Sequence, residues 1–140
     1  MKVRVNDEIL ATAMIDTGAE INVMTMELAE RSGLAITPSP PLTIVGHGGE
    51  RRQFEGVCEN TPIQIGGITT YVPVFIVGEA DIPLILGQPY IFETGLMINR
   101  EGDAQYITVP DSDSSRGFKV KVLKSSDAGN RVRSQIFPLN

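Results

Sequence analysis

The stretch AMIDTGAEINVM, Ala13 to Met24, runs apolar as far as Ile15, turns acidic at Asp16 and passes at once into Thr17-Gly18. A carboxylate is costly to take out of water. A chain that carries one from an apolar run into a tight turn therefore does so for one of two reasons. Either the turn is solvated and the acid merely sits in it, or the acid is held there for chemistry. The surrounding sequence has to decide between them.

Upstream, Val3 and Val5 alternate with Arg4, Asn6-Asp7 offers a tight turn, and Ile9 to Ile15 runs apolar, so residues 3–15 read as a β-hairpin that delivers Asp16 to a strand end. Downstream, Thr25 is placed to cap a short helix over Met26 to Ser32, with Gly33 suited to a left-handed stop and Leu34 to the packing that follows one. Pro38, Pro40 and Pro41 then break regular structure. In LTIVGHGGERRQFEGV, two strand-like segments flank a glycine-rich tip at Gly46 to Gly49, which reads as a hairpin with a mobile end. A second hairpin has Ile63 and Ile65 alternating into Gly66-Gly67, with Tyr71 to Val77 running back. PLILG, Pro83 to Gly87, is too densely apolar for a surface strand and is expected to be buried on both faces. Pro89 suits the first turn of a short helix over Gln88 to Glu93, and ETGLMIN returns to a strand. An apolar strand, a glycine turn and a helix thus occur twice, after Ile15 and after Leu86, a pattern of internal pseudo-symmetry.

Residues 101–140 differ in character. Gln105 to Val109 and Phe118 to Leu123 are candidate paired strands, while PDSDSSRG and KSSDAGNRVRS are polar and turn-rich, closer to a loop and a loose tail. The chain of 140 residues is read as one domain over 1–100 with a C-terminal extension over 101–140. A net charge of -5 without any Lys/Arg cluster beyond Arg51-Arg52 argues against nucleic acid or an anionic membrane face as partner. No stretch approaches the roughly 20 apolar residues of a membrane span. The N-terminus MKVRVNDEIL lacks the apolar core of a secretory signal, and Cys58, the single cysteine, cannot form an internal disulfide, so a cytoplasmic setting is expected. No second Cys or His lies at ligand spacing to Cys58 or to His47, the single histidine, so neither a metal nor any other cofactor is expected. His47 reads as a surface residue and Cys58 as a small buried one.

Asp-Thr-Gly alone is a weak signal, because a three-residue string recurs by chance. Its context is stronger: IDTGA at Ile15 to Ala19, then VGHGGE at Val45 to Glu50, then LILGQPYI at Leu84 to Ile91. This ordered set resembles the retropepsin-like aspartic proteases of retroviruses and long-terminal-repeat retrotransposons, across about residues 3–100.

The resemblance implies an all-β fold, a single-lobe β-barrel with a flap hairpin and one or two short helices, acting as a homodimeric endopeptidase on polypeptides. A retroelement-type polyprotein is the substrate it implies. Asp16 would be the catalytic aspartate, one per chain, so that two chains build one site. Two carboxylates facing each other across the dimer axis cannot both ionise and share one proton. Thr17 would hydrogen-bond across the axis and Gly18 would leave room for backbone approach, both supporting the loop. Ala19, Glu20 and Ile21, the flap residues Val45, Gly46, Gly48 and Gly49, and Pro83 and Ile85 would line the substrate cleft. Many retroviral members carry aspartate in place of Glu20, paired to an arginine in place of Gln88. Both partners differ here, so that ion pair is absent and the loop needs another brace. Retroviral members also begin with an interface strand ahead of the first hairpin, and this chain starts too late to include it. The dimer is therefore expected to be held by Leu96 to Asn99 and by Gln105 to Leu123.

Two other readings compete. One is the same fold without peptidase activity, serving as a dimerisation or peptide-binding module; the intact IDTGA argues against it. The other takes Asp-Thr-Gly as the phosphate loop of a sugar-kinase-like ATPase, which needs two large domains that this chain lacks.

Overall fold

The first two strands, β1 (Lys2–Val5) and β2 (Ile9–Ile15), form the expected hairpin. Asn6 and Asp7 sit at φ 50° and 57°, the left-handed conformation these two residue types tolerate best, and the Glu8 N–H closes the turn onto the Val5 carbonyl at 3.0 Å. The computed structural model describes residues 1–39, 43–45, 49, 51–111, 117–122 and 136–138. After the Asp16 loop come β3 (Val23–Thr25) and helix α1 (Met26–Arg31). Thr25 caps this helix, accepting the Leu28 N–H, and Gly33 at φ 68° ends it with the Leu34 N–H on the Ala29 carbonyl. The strands β4 (Thr43–Val45) and β5 (Arg51–Gln53) pair as the stem of the glycine-tipped hairpin. Of its tip, only Gly49 falls within the described residues; Gly46, His47 and Gly48 lie outside them.

The long hairpin β6 (Gly56–Ile65) and β7 (Ile68–Val77) follows, its return strand starting three residues earlier than Tyr71 because Thr69 and Thr70 extend the ladder. Next come β8 (Leu84–Leu86) and helix α2 (Gln88–Thr94), with Pro89 in the first turn and Gly95 at φ 67° as its left-handed cap. Six strands close a barrel in the order β1-β2-β8-β3-β7-β6. Its interior is filled by alternate positions, with Val3, Val5, Ile63, Ile76, Leu84 and Leu86 all within 1% of complete burial. Each such aliphatic side chain contributes about 1.5–3 kcal/mol by leaving water.

Two expectations need correction. First, Leu84 and Leu86 are buried but Ile85 between them is only partly so. A three-residue strand in a barrel wall has one face in the core, and its other face is covered only by what packs outside. Second, the two copies of the strand, glycine turn and helix pattern are unequal. The first inserts β3 between turn and helix, whereas α2 follows Gly87 directly.

Beyond the barrel lie β9 (Met97–Glu101), β10 (Ala104–Pro110), β11 (Gly117–Val122) and β12 (Ile136–Pro138), a four-stranded sheet in the order β12-β11-β10-β9. The expected pairing of β10 with β11 is present, whereas β12 carries no signal that sequence reading found. The serine-rich segment 112–116 and residues 123–135 lie outside the described residues. Ile107, Val109 and Val120 join the same buried cluster as Tyr90 and Leu96, so β10 and β11 pack into the barrel's core rather than beside it. Docking also occurs at the β6-β7 turn. A Cβ on Gly66 would stand 2.7 Å from Phe118 Cγ, so only a glycine lets that turn seat on the ring.

Two stability predictions follow from this packing. Gly66 and Gly102 both have positive φ, 58° and 60°, but only Gly66 has a neighbour within reach. Gly102→Ala is expected to cost about 1 kcal/mol in denaturant unfolding, and Gly66→Ala about 1–3 kcal/mol more through the clash. In a Phe118→Ala background most of the Gly66 penalty beyond the Gly102 level should disappear, because the ring atoms leave and only Phe118 Cβ, at 3.0 Å, remains. Tyr90, fully buried, has a hydroxyl with no hydrogen-bond partner among the described residues. Tyr90→Phe should therefore leave the melting temperature unchanged or raise it, since the substitution removes an unmatched polar group and no contact.

Candidate active site

Strand β2 ends at Ile15, and the next residue is tied to the neighbouring strand by its Asp16 N–H, which donates to the Leu86 carbonyl at 2.9 Å. The carboxylate of Asp16 stays partly accessible and accepts the Gly18 N–H on Oδ1 at 2.9 Å. The Ala19 N–H donates to the Asp16 carbonyl at 3.2 Å and closes the turn. This is an Asx-type turn, the local bond that lets an acidic side chain sit at the end of a strand.

The remainder of the loop is held by the residues that follow Leu86, in the turn between β8 and α2. The Gln88 backbone N–H donates to the Ala19 carbonyl at 2.8 Å, and the Gln88 side-chain amide Nε2 donates to the Thr17 carbonyl. Gln88 thus braces the loop, and as a neutral amide it does so without an ion pair to Glu20, which is exposed. Gly87 lies so close beneath that a Cβ there would meet the Ile21 carbonyl at 2.4 Å and the Ala19 carbonyl at 2.5 Å. Asn22 fastens the crossing. It is fully buried, its Oδ1 accepts the Gly87 N–H at 2.8 Å, its Nδ2 donates to the Pro73 carbonyl at 3.0 Å, and its own carbonyl accepts the Phe75 N–H at 2.9 Å.

One sheet face beside the loop is apolar although it points away from the core. Register pairs Met14 with Ile85, Ile85 with Val23, and Val23 with Phe75, which sets these four side chains in a row across β2, β8, β3 and β7. Met14 is 37% exposed and the other three are partly buried. The Phe75 ring meets Phe54 at 4.8 Å between centroids, and the Glu55 N–H bonds the Ile76 carbonyl at 2.8 Å, so the base of the β4-β5 hairpin is anchored at one end of this row.

Of the residues singled out from sequence, Asp16, Thr17, Gly18, Ala19, Glu20 and Ile21 share this loop, and Ile85 lies in the apolar row. Pro83 precedes β8 and its carbonyl accepts the Thr25 N–H at 3.0 Å. Val45 ends β4, and the backbone of Gly49 is left-handed at φ 78°. Gln88 as a brace, Asn22, and the row members Met14, Val23 and Phe75 were missed. For Asn22, the signal available was a carboxamide inside an otherwise apolar run from Ile21 to Met24. For the row, it was an apolar residue at the off-core phase of each strand. Cys58 is buried and its thiol is pushed up by that burial, which leaves it unreactive. Among the described residues there is no group of three or more His, Cys, Asp or Glu side chains disposed to hold a metal ion, and no helix long and apolar enough to cross a membrane.

A family model described as aspartyl protease matches residues 1–90. A curated relative, a "Protein DDI1 homolog" from Leishmania major, is 25% identical over 93 residues, which is 66% of this chain and 24% of that protein. The chain thus spans about a quarter of that relative's length. The crystal structure of the retroviral protease-like domain of Ddi1 from Leishmania major superposes with a TM-score of 0.60 at 23% identity, covering 74% of this chain and 82% of that one. At that identity the superposition speaks to the fold, and the family model reaches through the Asp16 loop to Gln88 and Pro89. The chain belongs to the aspartyl protease family, and its domain is of the retropepsin-like kind.

Proposed function

We propose that the chain is an aspartic endopeptidase that cleaves extended polypeptides and is active as a homodimer, with Asp16 supplied once by each copy. The observation that carries this is the Asp16 carboxylate, presented at a strand end on a loop tied to Leu86, Gly87 and Gln88 and set beside an apolar sheet face. In the dimer the two carboxylates share a proton. The ionised one takes a proton from a water molecule as the water oxygen bonds to the peptide carbonyl carbon. The protonated one gives its proton to the carbonyl oxygen. Collapse of the resulting diol, with a proton delivered to the nitrogen, breaks the C–N bond and restores the pair.

Thr17 and Gly18 support the loop. Ala19, Glu20, Ile21, Val45, Gly46, Gly48, Gly49, Pro83 and Ile85 are the proposed substrate contacts, with the peptide lying as an added strand between flap and floor. The row of Met14, Val23, Ile85 and Phe75 gives this floor an apolar preference. The family resemblance adds a polyprotein as natural substrate, and the N-terminal sequence and the lone Cys58 add a cytoplasmic setting. In this reading residues 1–100 form the protease domain and residues 101–140 extend it.

The second copy is proposed to dock on β9. This is an edge strand of the C-terminal sheet, all five of its residues are exposed, and Met97 and Ile98 leave 54% and 37% of their surface in water. An edge with free backbone groups and apolar side chains is a template for another strand.

Asp16→Asn should lower turnover of a mixed peptide library by roughly a factor of 10²–10⁴ while leaving the melting temperature near the parent's. Undiminished cleavage by this variant would sink the protease reading, and a folded parent inactive from pH 3 to 7 would favour the inactive binding module. Because both copies contribute an acid, specific activity should fall on dilution through the dimer dissociation constant. Ile98→Lys, at an exposed position, should lower both sedimentation mass and activity at a given concentration without unfolding the chain. If mass and activity are unchanged, the interface lies elsewhere.

A further inference from the structure

The peptide unit between Thr17 and Gly18 is held at both of its polar ends. Its N–H, that of Gly18, donates to Asp16 Oδ1 at 2.9 Å, and its C=O, that of Thr17, accepts from Gln88 Nε2. A peptide unit is planar and moves as one body. Any rotation that frees the carbonyl from Gln88 therefore also swings the N–H off the carboxylate. From this geometry we infer that Gln88 is a positioning residue: it sets the orientation of the Asp16 carboxylate through the Thr17–Gly18 peptide plane, without touching the acid itself. The inference rests on the reading of Asp16 as the catalytic acid.

The supports behind Gln88 make its position definite. Its backbone N–H is fixed to the Ala19 carbonyl, and the residue before it is fixed by Asn22 and by the close approach of Gly87 to Ile21 and Ala19. Its side chain is the one part free to change. Gln88 is exposed and borders an open groove lined also by Tyr71, Pro89 and Phe92, so a residue of another shape fits there without repacking. The main-chain bond to Ala19 survives any substitution, and the loop stays seated while its peptide plane is released. Misplacing a catalytic group weakens the transition state more than substrate binding, so the loss belongs in kcat rather than KM.

The test uses the full chain and a quenched-fluorescence peptide with apolar residues on both sides of the scissile bond. Gln88→Met removes the donor at similar volume and should lower kcat roughly ten- to hundredfold with KM unchanged. It should also speed amide exchange at Gly18 while leaving Ala13 and Ile15 protected. Gln88→Arg keeps an N–H donor and should restore kcat to within a few-fold of the parent. Gln88→Glu supplies a donor only when protonated. Its activity relative to the parent should therefore be highest at low pH and fall through the range around pH 4–5 where such a carboxyl ionises. Asp16 and Glu20 in the loop and Glu93 on the groove are the charged groups on the elements around residue 88, and every variant keeps all three. A residue that served only to hold the fold would change the amount of folded protein and leave the pH dependence of this ratio flat. If the parent cleaves the peptide but Gln88→Met retains its kcat and its Gly18 protection, the inference is overturned and the protease reading stands. If Gln88→Met does not fold, equal pH profiles for Gln88→Glu and Gln88→Arg overturn it. A folded parent without activity overturns both.

Discussion

A single buried carboxamide organises the site. Asn22 is fully inaccessible to solvent, and a group of that polarity is stable in a barrel wall only if its atoms are matched. Both ends are: Oδ1 takes the Gly87 N–H and Nδ2 gives to the Pro73 carbonyl. These two partners lie on separate segments, and the β2-β8 ladder stops at the Ile15–Leu86 pair, one residue short of Gly87. Pro73 is in β7, and Gly87 is the turn between β8 and α2. An apolar residue of similar size would leave the Gly87 N–H buried without an acceptor, at a cost of about 1–3 kcal/mol. Asn22 therefore fixes where Gly87 sits, and Gly87 fixes where Gln88 begins.

The closeness of that crossing explains the glycine. Carbonyls of Ala19 and Ile21 stand where a Cβ would be, at 2.5 and 2.4 Å, so the two chain segments pass at backbone contact. At such a distance the Gln88 N–H reaches the Ala19 carbonyl and the Gln88 side chain reaches the Thr17 carbonyl. With any larger residue at position 87 the α2 turn would stand off, and neither bond would form. The glycine here serves approach rather than a left-handed backbone, in contrast to Gly33 and Gly95, whose positive φ ends a helix.

Much of the architecture was legible because it is written in local chemistry. The Asn6-Asp7 turn, the Thr25 cap, the Gly33 stop and Pro89 in the first turn of α2 each act within a few residues, and each is found where sequence reading placed it. The barrel and its two short helices also agree with the expected fold. What could not be read depends on contacts between distant segments. Asn22 meets Pro73 and Gly87 across 51 and 65 residues of sequence, and Gln88 meets Thr17 across 71. The same holds for β10 and β11. Their polar flanks read as an extension, while Ile107, Val109 and Val120 are buried in one cluster with Tyr90, Leu96 and the barrel interior. Ile85 shows the converse. Its neighbours Leu84 and Leu86 made a fully buried strand seem certain, and only the register reveals that its face carries Met14, Val23 and Phe75 instead of core.

The Asp16 carboxylate can now be weighed as a plain solvated turn. Its Asx-type bond to the Gly18 N–H is the bond such a turn would have, and its partial exposure fits that account equally well. A solvated turn, however, needs nothing more, because water satisfies whatever the side chain does not. Here the carbonyls of Thr17 and Ala19 are each held by Gln88, the residue before it, Gly87, is locked by a buried carboxamide, and the strand that delivers the acid is tied at Asp16 itself to Leu86. Each of these bonds restricts the loop, and each restriction costs conformational entropy that an ordinary surface turn retains. On the proposed reading of Asp16 as the catalytic acid, this ordering has a purpose: it holds one partly exposed carboxylate in a single direction, beside an apolar sheet face that the core leaves half covered.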